Sequence, residues 1–495
     1  MIETNKKQTT TTISKVLCHQ CIGDEYLKNH VNQSGKRRKC SYCNKTMNSI
    51  LLEEMTEFVN DVFDEYYVKT PDEPTALQQM MISDKESEYS WEREGEPVIY
   101  AIMNSANIPE SVARDIQEIL SNKYFSPDHA SIGEETEFSE GSYYIEKEAS
   151  RNILQREWHK FEMSLKSETR FVNHPMSAHL GGIFSDIDQL KTLDGRPLVV
   201  DAGPDTKIDT IYRARVFQSD EKLITALCLP TQHLGPPPMR LALAGRMNAQ
   251  GISVFYGAND PTVAITEVRP PVGSQVVVAL FQIIRPLRLL DLTALKEVKS
   301  MGSLFDPQFQ KQLKREEFLR SLSEHMTRPV MPDDEAFDYL PTQFIADFLA
   351  TSRTIKLDGI LFPSTQSKNN ARNIVLFHKS AKVHSHELPI GTKITAQTCQ
   401  WEEDGLAPNY HVYEEVPPPQ NEQLIKRIGP KNRPDTSINT IKSDLSGERD
   451  RREPSLRIIP DKISVHIIQE VKFTTKKFDV SRTRSPKRIS QLEDF

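Results

Sequence analysis

Four cysteines near the N-terminus constrain this chain more than any other feature. Cys18 and Cys21 form one C-x2-C pair, Cys40 and Cys43 form a second, and 18 residues separate the pairs. Each pair at this spacing can make a knuckle, and two knuckles present four thiolates to one tetrahedral ion, the pattern of a zinc ribbon. A closed four-sulfur shell leaves no open position for a reacting water, so the expected Zn2+ is structural. Four ordinary buried thiols or a redox site are the alternatives, and the doubled spacing argues against both. Cys228 and Cys399 stand alone. Six cysteines so placed build no disulfide scaffold and suit a reducing, cytoplasmic setting.

A chain of 495 residues exceeds what one core organises. Its net charge of −7 argues against a protein that coats nucleic acid as a whole. The basic run Lys36-Arg37-Arg38-Lys39 is a local exception. It reads more readily as the solvated tip of a loop than as a phosphate contact, which leaves nucleic acid a weak candidate partner. No apolar run reaches the length of a membrane span, and the start MIETNKKQTTTT lacks the apolar core of a secretory signal.

The pattern along the chain predicts a multidomain α+β protein in four segments. Residues 1–49 form the four-cysteine ribbon. Residues 50–204 are mainly helical: Leu51, Leu52, Met55, Phe58, Val59, Val62, Phe63 and Tyr66 recur at helical spacing. Further helices are expected with Pro109 as a first-turn residue, and from about Ile145 to Leu165 with Ile153, Leu154, Trp158, Phe161 and Leu165 inward. Residues 205–385 carry short β-branched runs at Asp209–Phe217, Ile252–Tyr256, Val276–Leu290, Gly359–Phe362 and Ile374–Phe377. Helices are expected after Asp260-Pro261 and over Thr342–Thr351, which makes this segment α+β with a mixed sheet. Residues 386–495 are an extension with a flexible linker at about 427–455 and strand-like runs at Ser464–Ile468 and Val471–Thr475. The basic run Arg482, Arg484, Lys487, Arg488 near the end reads as a solvated tail.

A ribonuclease-type site in the helical segment would need an Arg and a His about one turn apart. Arg170 and His174, Arg156 and His159, and Arg151 and His159 are the nearest candidates, and none has four to six intervening residues. The densest polar signal lies later, in Tyr212-Arg213-Ala214-Arg215, Gly245-Arg246-Met247-Asn248, Tyr256, Asp260-Pro261 and Glu267. Asp260 is a good N-cap and Pro261 a good first helical residue. Glu267 falls two turns into that helix, where a partly buried acid needs a partner such as Arg213 or Arg246. These residues alone leave a structural ion pair and a catalytic site equally open.

The run GRMNAQGISVFYGANDPTVAITEVR, followed by Leu357-Asp-Gly-Ile-Leu-Phe-Pro-Ser364 and Asn373-Ile-Val-Leu-Phe377, resembles the signature of RES-domain proteins. The likeness covers residues 205–385. The preceding part resembles the zinc ribbon and HEPN-like region fused ahead of some RES domains. The resemblance implies an ADP-ribosyltransferase-like fold and an enzyme that consumes NAD+. By motif position it implies Arg246, Glu267 and Ser364 as catalytic residues, and Arg213, Tyr256 and Asn373 as NAD+-binding ones. Arg215 competes with Arg213 within one motif. Met247 stands where the family often has an aromatic residue.

Those residue types suit the chemistry. Cleavage of the nicotinamide–ribose bond develops positive charge on the ribose, which a carboxylate stabilises. Diphosphate favours bidentate, permanently charged arginines. No GxGxxG follows a strand, so a dehydrogenase-type dinucleotide fold is not expected. The implied reaction is glycohydrolase or phosphorylase chemistry, with water or phosphate as acceptor, in a toxin met by an antitoxin partner. Transfer of ADP-ribose to a protein is a close variant. A binding or regulatory protein with an idle RES-like domain is the reading from a different class.

Overall fold

A computed structural model describes residues 14–84, 89–128, 133–147, 158–169, 173–364, 371–403, 405–418, 450–472 and 474–484. The chain divides into two compact units: Met1–Asp201 with Leu243–Ile252 and Arg288–Pro363, and Ala202–Ala242 with Ser253–Leu287 and Ser364–Phe495.

The first unit opens with an antiparallel sheet in which Thr46–Leu51 lies between Val16–Cys18 and Lys36–Lys39. The basic run expected at a loop tip is therefore an exposed edge strand, its backbone held by residues 46–49. The helix Leu52–Tyr66 follows and buries Leu52, Met55, Val59, Val62 and Phe63 on one stripe, as its 3.6-residue spacing requires. Helices Val98–Ala106 and Glu110–Tyr124 cover that stripe with Ile102, Val112, Ile116 and Leu120. Leu17, Ile22, Leu27 and Val31, which flank the first cysteine pair, belong to the same core. Pro109 caps the helix Glu110–Tyr124 from just outside, one residue before its expected place.

The middle segment is less uniformly helical than its pattern suggests. Tyr143–Glu146 is the central strand of a small sheet between Tyr67–Lys69 and Glu96–Pro97. Ile145 thus lies in a strand, not at a helix start. Ile153 and Leu154 lie outside the described residues. Trp158, Phe161 and Leu165 are buried as expected, in a helix that runs into a wider turn over Ser164–Glu168. Trp158 stacks on His325 of the long helix Pro307–Thr327, their ring centroids 4.1 Å apart. Strands Leu287–Asp291 and Gly359–Pro363 pair in parallel, with Leu289 opposite Gly359.

The second unit is built on five antiparallel strands in the order Leu456–Ile467, Gln275–Ile283, Thr210–Phe217, Phe255–Ala258 and Arg372–Leu376. With the parallel pair of the first unit, the fold is mixed α/β. The expected run Ile252–Tyr256 becomes a strand only at Phe255. Ser464–Ile468 falls almost wholly within the last strand, whereas Val471–Thr475 is irregular where described. The linker expected at 427–455 lies outside the described residues up to 449, and Ser455 is bound by its backbone to Lys382. The hairpin Lys393–Glu402 with Gly405–Glu415 carried no clear signal in the sequence.

Strand alternation assigns the faces of this sheet. Ala214, Ala258, Val276, Val278 and Ala371 point to one side, where they pack against Val263 and Ala264 of the helix Pro261–Glu267. Asp260 caps that helix, accepting from the backbone N–H of Thr262 at 2.8 Å and of Val263 at 3.3 Å. Ile211, Arg213, Phe255 and Phe281 take the opposite side.

Candidate active site and cysteine cluster

Glu267 ends the helix Pro261–Glu267 and stands over the strand Arg372–Leu376. Its Oε1 accepts two hydrogen bonds, from Ser364 Oγ at 2.7 Å and from Asn373 Nδ2 at 2.8 Å. The carboxylate is exposed, and its partners are neutral. This corrects the expectation of a partly buried acid paired with Arg213 or Arg246. Two local features place the donors. Ser364 follows directly on the strand Gly359–Pro363 and is fixed through its N–H to the Ala371 carbonyl at 2.9 Å. Asn373 pairs with Ala258 across the ladder, which aims it at the face that carries the helix.

Asn373 is only 5% exposed, and among the described residues its Oδ1 is buried without a hydrogen-bond partner. Leaving such an acceptor unsatisfied costs about 1–3 kcal/mol. The amide orientation follows from its other contact, since only the NH2 group can donate to a carboxylate.

Tyr256 lies two residues from Ala258 on its strand and so shares the Glu267 face. Tyr212, opposite Ala258, shares it too and packs against the same apolar cluster. The sequence reading names Tyr212 only within its motif and gives it no role. Only the register of its strand against Phe255–Ala258 separates it from its neighbour Arg213.

Arg213 is on the other face. Its Nη1 donates to the Tyr256 carbonyl at 3.0 Å, and the guanidinium lies 4.8 Å from the Phe255 ring centre. Burial, with Arg215 beside it, pushes its pKa down to about 9. Arg215 donates to the Gly235 carbonyl at 2.9 Å, and burial lowers its pKa as well.

Arg246 belongs to the first unit. Its Nη1 donates to the carbonyls of Met326 at 3.1 Å and Arg328 at 2.6 Å, and its guanidinium lies 5.3 Å from the Tyr339 ring centre. Thr342 Oγ1 holds its backbone carbonyl at 2.7 Å. Of the six sequence candidates, the second unit thus gathers Tyr256, Glu267, Ser364 and Asn373 on one face. Arg213 occupies the reverse of that sheet.

The cysteine cluster forms as its spacing predicts. The four sulfurs of Cys18, Cys21, Cys40 and Cys43 all lie within 4.8 Å of one another. Separations of 3.6 Å (Cys18–Cys21), 3.5 Å (Cys18–Cys43) and 4.0 Å (Cys21–Cys40) bracket the edge of about 3.8 Å that Zn–S bonds of about 2.3 Å give a tetrahedron. Burial pushes the Cys40 thiol up, but backbone N–H groups, those of Cys43 and Tyr42 foremost, outweigh it and bring the pKa down to about 7. Cys21, buried beside other thiols, is pushed up. The donor set fits a structural metal.

Of the ribonuclease-type pairs, Arg151, Arg156 and Arg170 lie outside the described residues, and His159 and His174 are exposed. Lys487 and Arg488 of the basic tail also lie outside them, while Arg482 and Arg484 are exposed. No helix among the described residues is long and apolar enough to cross a membrane.

Two family models match the chain: RES domain over residues 211–402, and HEPN/RES N-terminal domain 1 over residues 33–179. No curated protein and no solved structure matches it. The Glu267 group falls inside the first match and the helices Leu52–Tyr66, Val98–Ala106 and Glu110–Tyr124 inside the second, so the chain carries a segment that matches the RES domain, preceded by one that matches HEPN/RES N-terminal domain 1.

Proposed function

We propose that the RES domain consumes NAD+ by cleaving its nicotinamide–ribose bond, with water or phosphate as acceptor. The observation that carries this reading is the Glu267 carboxylate, exposed at the end of its helix with one oxygen held by Ser364 and Asn373. The association of RES domains with NAD+ use and toxin–antitoxin pairs supports it.

In this reading the bond between ribose C1′ and the nicotinamide nitrogen breaks first, and nicotinamide leaves neutral with the bonding pair. Positive charge develops on the ribose, and Glu267 stabilises it from one face. A water oxygen then bonds to C1′ and releases its proton to solvent, giving ADP-ribose. A phosphate oxygen in its place gives the 1-phosphate ester. Tyr256, on the Glu267 face, stacks on a ring or bonds the ribose. Motif position gives Arg246 a diphosphate role, since a guanidinium offers paired donors, but its Nη1 is held by the Met326 and Arg328 carbonyls within the first unit. Motif position gives Arg213 the same role, but it lies on the reverse of the sheet from Glu267, bonded to the Tyr256 carbonyl and packed on Phe255, so this reading leaves it out of the ligand contacts. Cys18, Cys21, Cys40 and Cys43 hold a structural Zn2+ that supplies fold stability and no chemistry.

The test is nicotinamide release from NAD+ by the full-length protein, with and without phosphate, beside Glu267→Ala. Release that depends on Glu267 is expected, and its response to phosphate names the acceptor. NAD+ labelled in the adenosine half reports any ADP-ribose left on protein. Undiminished release by Glu267→Ala overturns the reading. In cells, expression is expected to deplete NAD+ and arrest growth, with Glu267→Ala harmless.

A further inference from the structure

The Glu267 carboxylate is held asymmetrically, and this geometry resolves the roles of Ser364 and Asn373. Both donors converge on Oε1. Among the described residues no donor reaches Oε2. An exposed carboxylate without such contacts rotates freely and presents either oxygen. Here one oxygen is pinned twice, and the other is left for the ligand.

Resting on the NAD+-cleavage reading, we propose that Asn373 is a positioning residue. It fixes Glu267 Oε1, with Ser364 as the second clamp, so that Oε2 alone meets the reacting ribose.

Three features of Asn373 support this. Asn373 sits within a core strand, 5% exposed, so its amide cannot swing away as a surface side chain would. Its Oδ1 is buried without a partner among the described residues, so the residue does not suit that site for stability. An apolar side chain there would remove the orphan acceptor. The favourable hydrogen bond from the Asn373 side chain is the one to Glu267.

The electrostatic surroundings give the test its sign. The titratable side chains on the strands packed against the helix are Tyr212 and Tyr256 on the Glu267 face, with Arg213, Arg215 and Arg372 at alternate strand positions. Asp260 caps the helix and Arg269 follows it. No second carboxylate lies on those strands. Removing a donor to Oε1 therefore disfavours the charged form of Glu267, and a carboxylate at position 373 disfavours it further by like charge.

The experiment compares wild type with Asn373→Leu, Asn373→Asp and Ser364→Ala in the full chain. Four readouts are taken: thermal midpoint, kcat and KM for NAD+, the acid limb of the pH–rate profile, and titration of the Glu267 side-chain carboxyl by carbon NMR, assigned through Glu267→Gln. Asn373→Leu is expected to fold with an unchanged or raised midpoint. Its kcat should fall about 100-fold with KM changed little. Its acid limb and carboxyl titration should move to higher pH, and further in Asn373→Asp. An unmoved carboxyl titration overturns the proposal, as does activity lost only in step with thermal stability. If the wild type releases no nicotinamide, the NAD+ reading fails, and the carboxyl titration still decides whether Asn373 holds Glu267.

Discussion

At the scale of single residues, Gly257 marks how tightly the second unit is built. A Cβ there would press on Ile211 Cγ2 and lie 2.7 Å from the Tyr212 carbonyl oxygen, a backbone atom that cannot yield. Gly257→Ala is expected to destabilise the second unit by about 1–3 kcal/mol, readable as a lower urea midpoint, because overpacking here shifts a central strand. His325 provides a pH-dependent counterpart in the first unit. Burial against Trp158 lowers its pKa from 6.5; Glu162 opposes the shift and Arg328 adds to it. The folded state then binds a proton less readily than the unfolded one. Its contribution to stability is full above pH 6.5 and is lost as pH falls from there through the lower folded value. His325→Phe keeps a ring in the stack and should flatten the dependence of the thermal midpoint on pH between 5 and about 6.5. An unchanged slope would reject the assignment.

At the scale of elements, the helix Pro261–Glu267 decides whether the candidate site exists. It is only seven residues long, too short to hold itself together, so its cap and its packed face set its position. Asp260 accepts from two backbone N–H groups at its start, and Val263 and Ala264 bury its inner face. Asp260→Ala is expected to cost about 1 kcal/mol and to loosen Glu267 at the other end. Nicotinamide release should fall while the core strands keep their hydrogen-exchange protection; equal loss of protection throughout would mean a global effect instead. The motif Asp-Pro followed by Val263, Ala264 and Glu267 made this helix readable from the sequence, because capping and periodicity are local. The two donors on Glu267 were not readable in that role. Ser364 and Asn373 lie 97 and 106 positions away, and strand pairing alone brings them to one carboxylate.

At the scale of the whole molecule, the cysteine cluster and the helices after it share a core, since Leu17, Ile22, Leu27 and Val31 pack in one cluster with Met55, Phe63, Ile102 and Ile116. Loss of the metal should therefore be felt well beyond the ribbon. The full-length protein is expected to carry about one zinc ion per chain by elemental analysis. Chelation or Cys40→Ser should lower the thermal midpoint of the first unit by several degrees. A chain that purifies without metal and shows no response to chelator would remove the zinc assignment.

The sequence by itself determined what rests on local spacing: the four-cysteine cluster, the amphipathic helix Leu52–Tyr66, the capped helix before Glu267 and the motifs of the RES domain. Thiolate spacing, helical period and capping act over a few residues, so they are legible without a fold. Tertiary structure alone decided which face of a strand each candidate occupies. Arg213 and Tyr212 are adjacent, yet pleating sends one to the Phe255 ring and the other to the Glu267 side. It also decided that neutral side chains, not arginines, hold Glu267, because that depends on the register between Phe255–Ala258 and Arg372–Leu376. Register is a long-range property, set by which strands pair, and no window of sequence contains it.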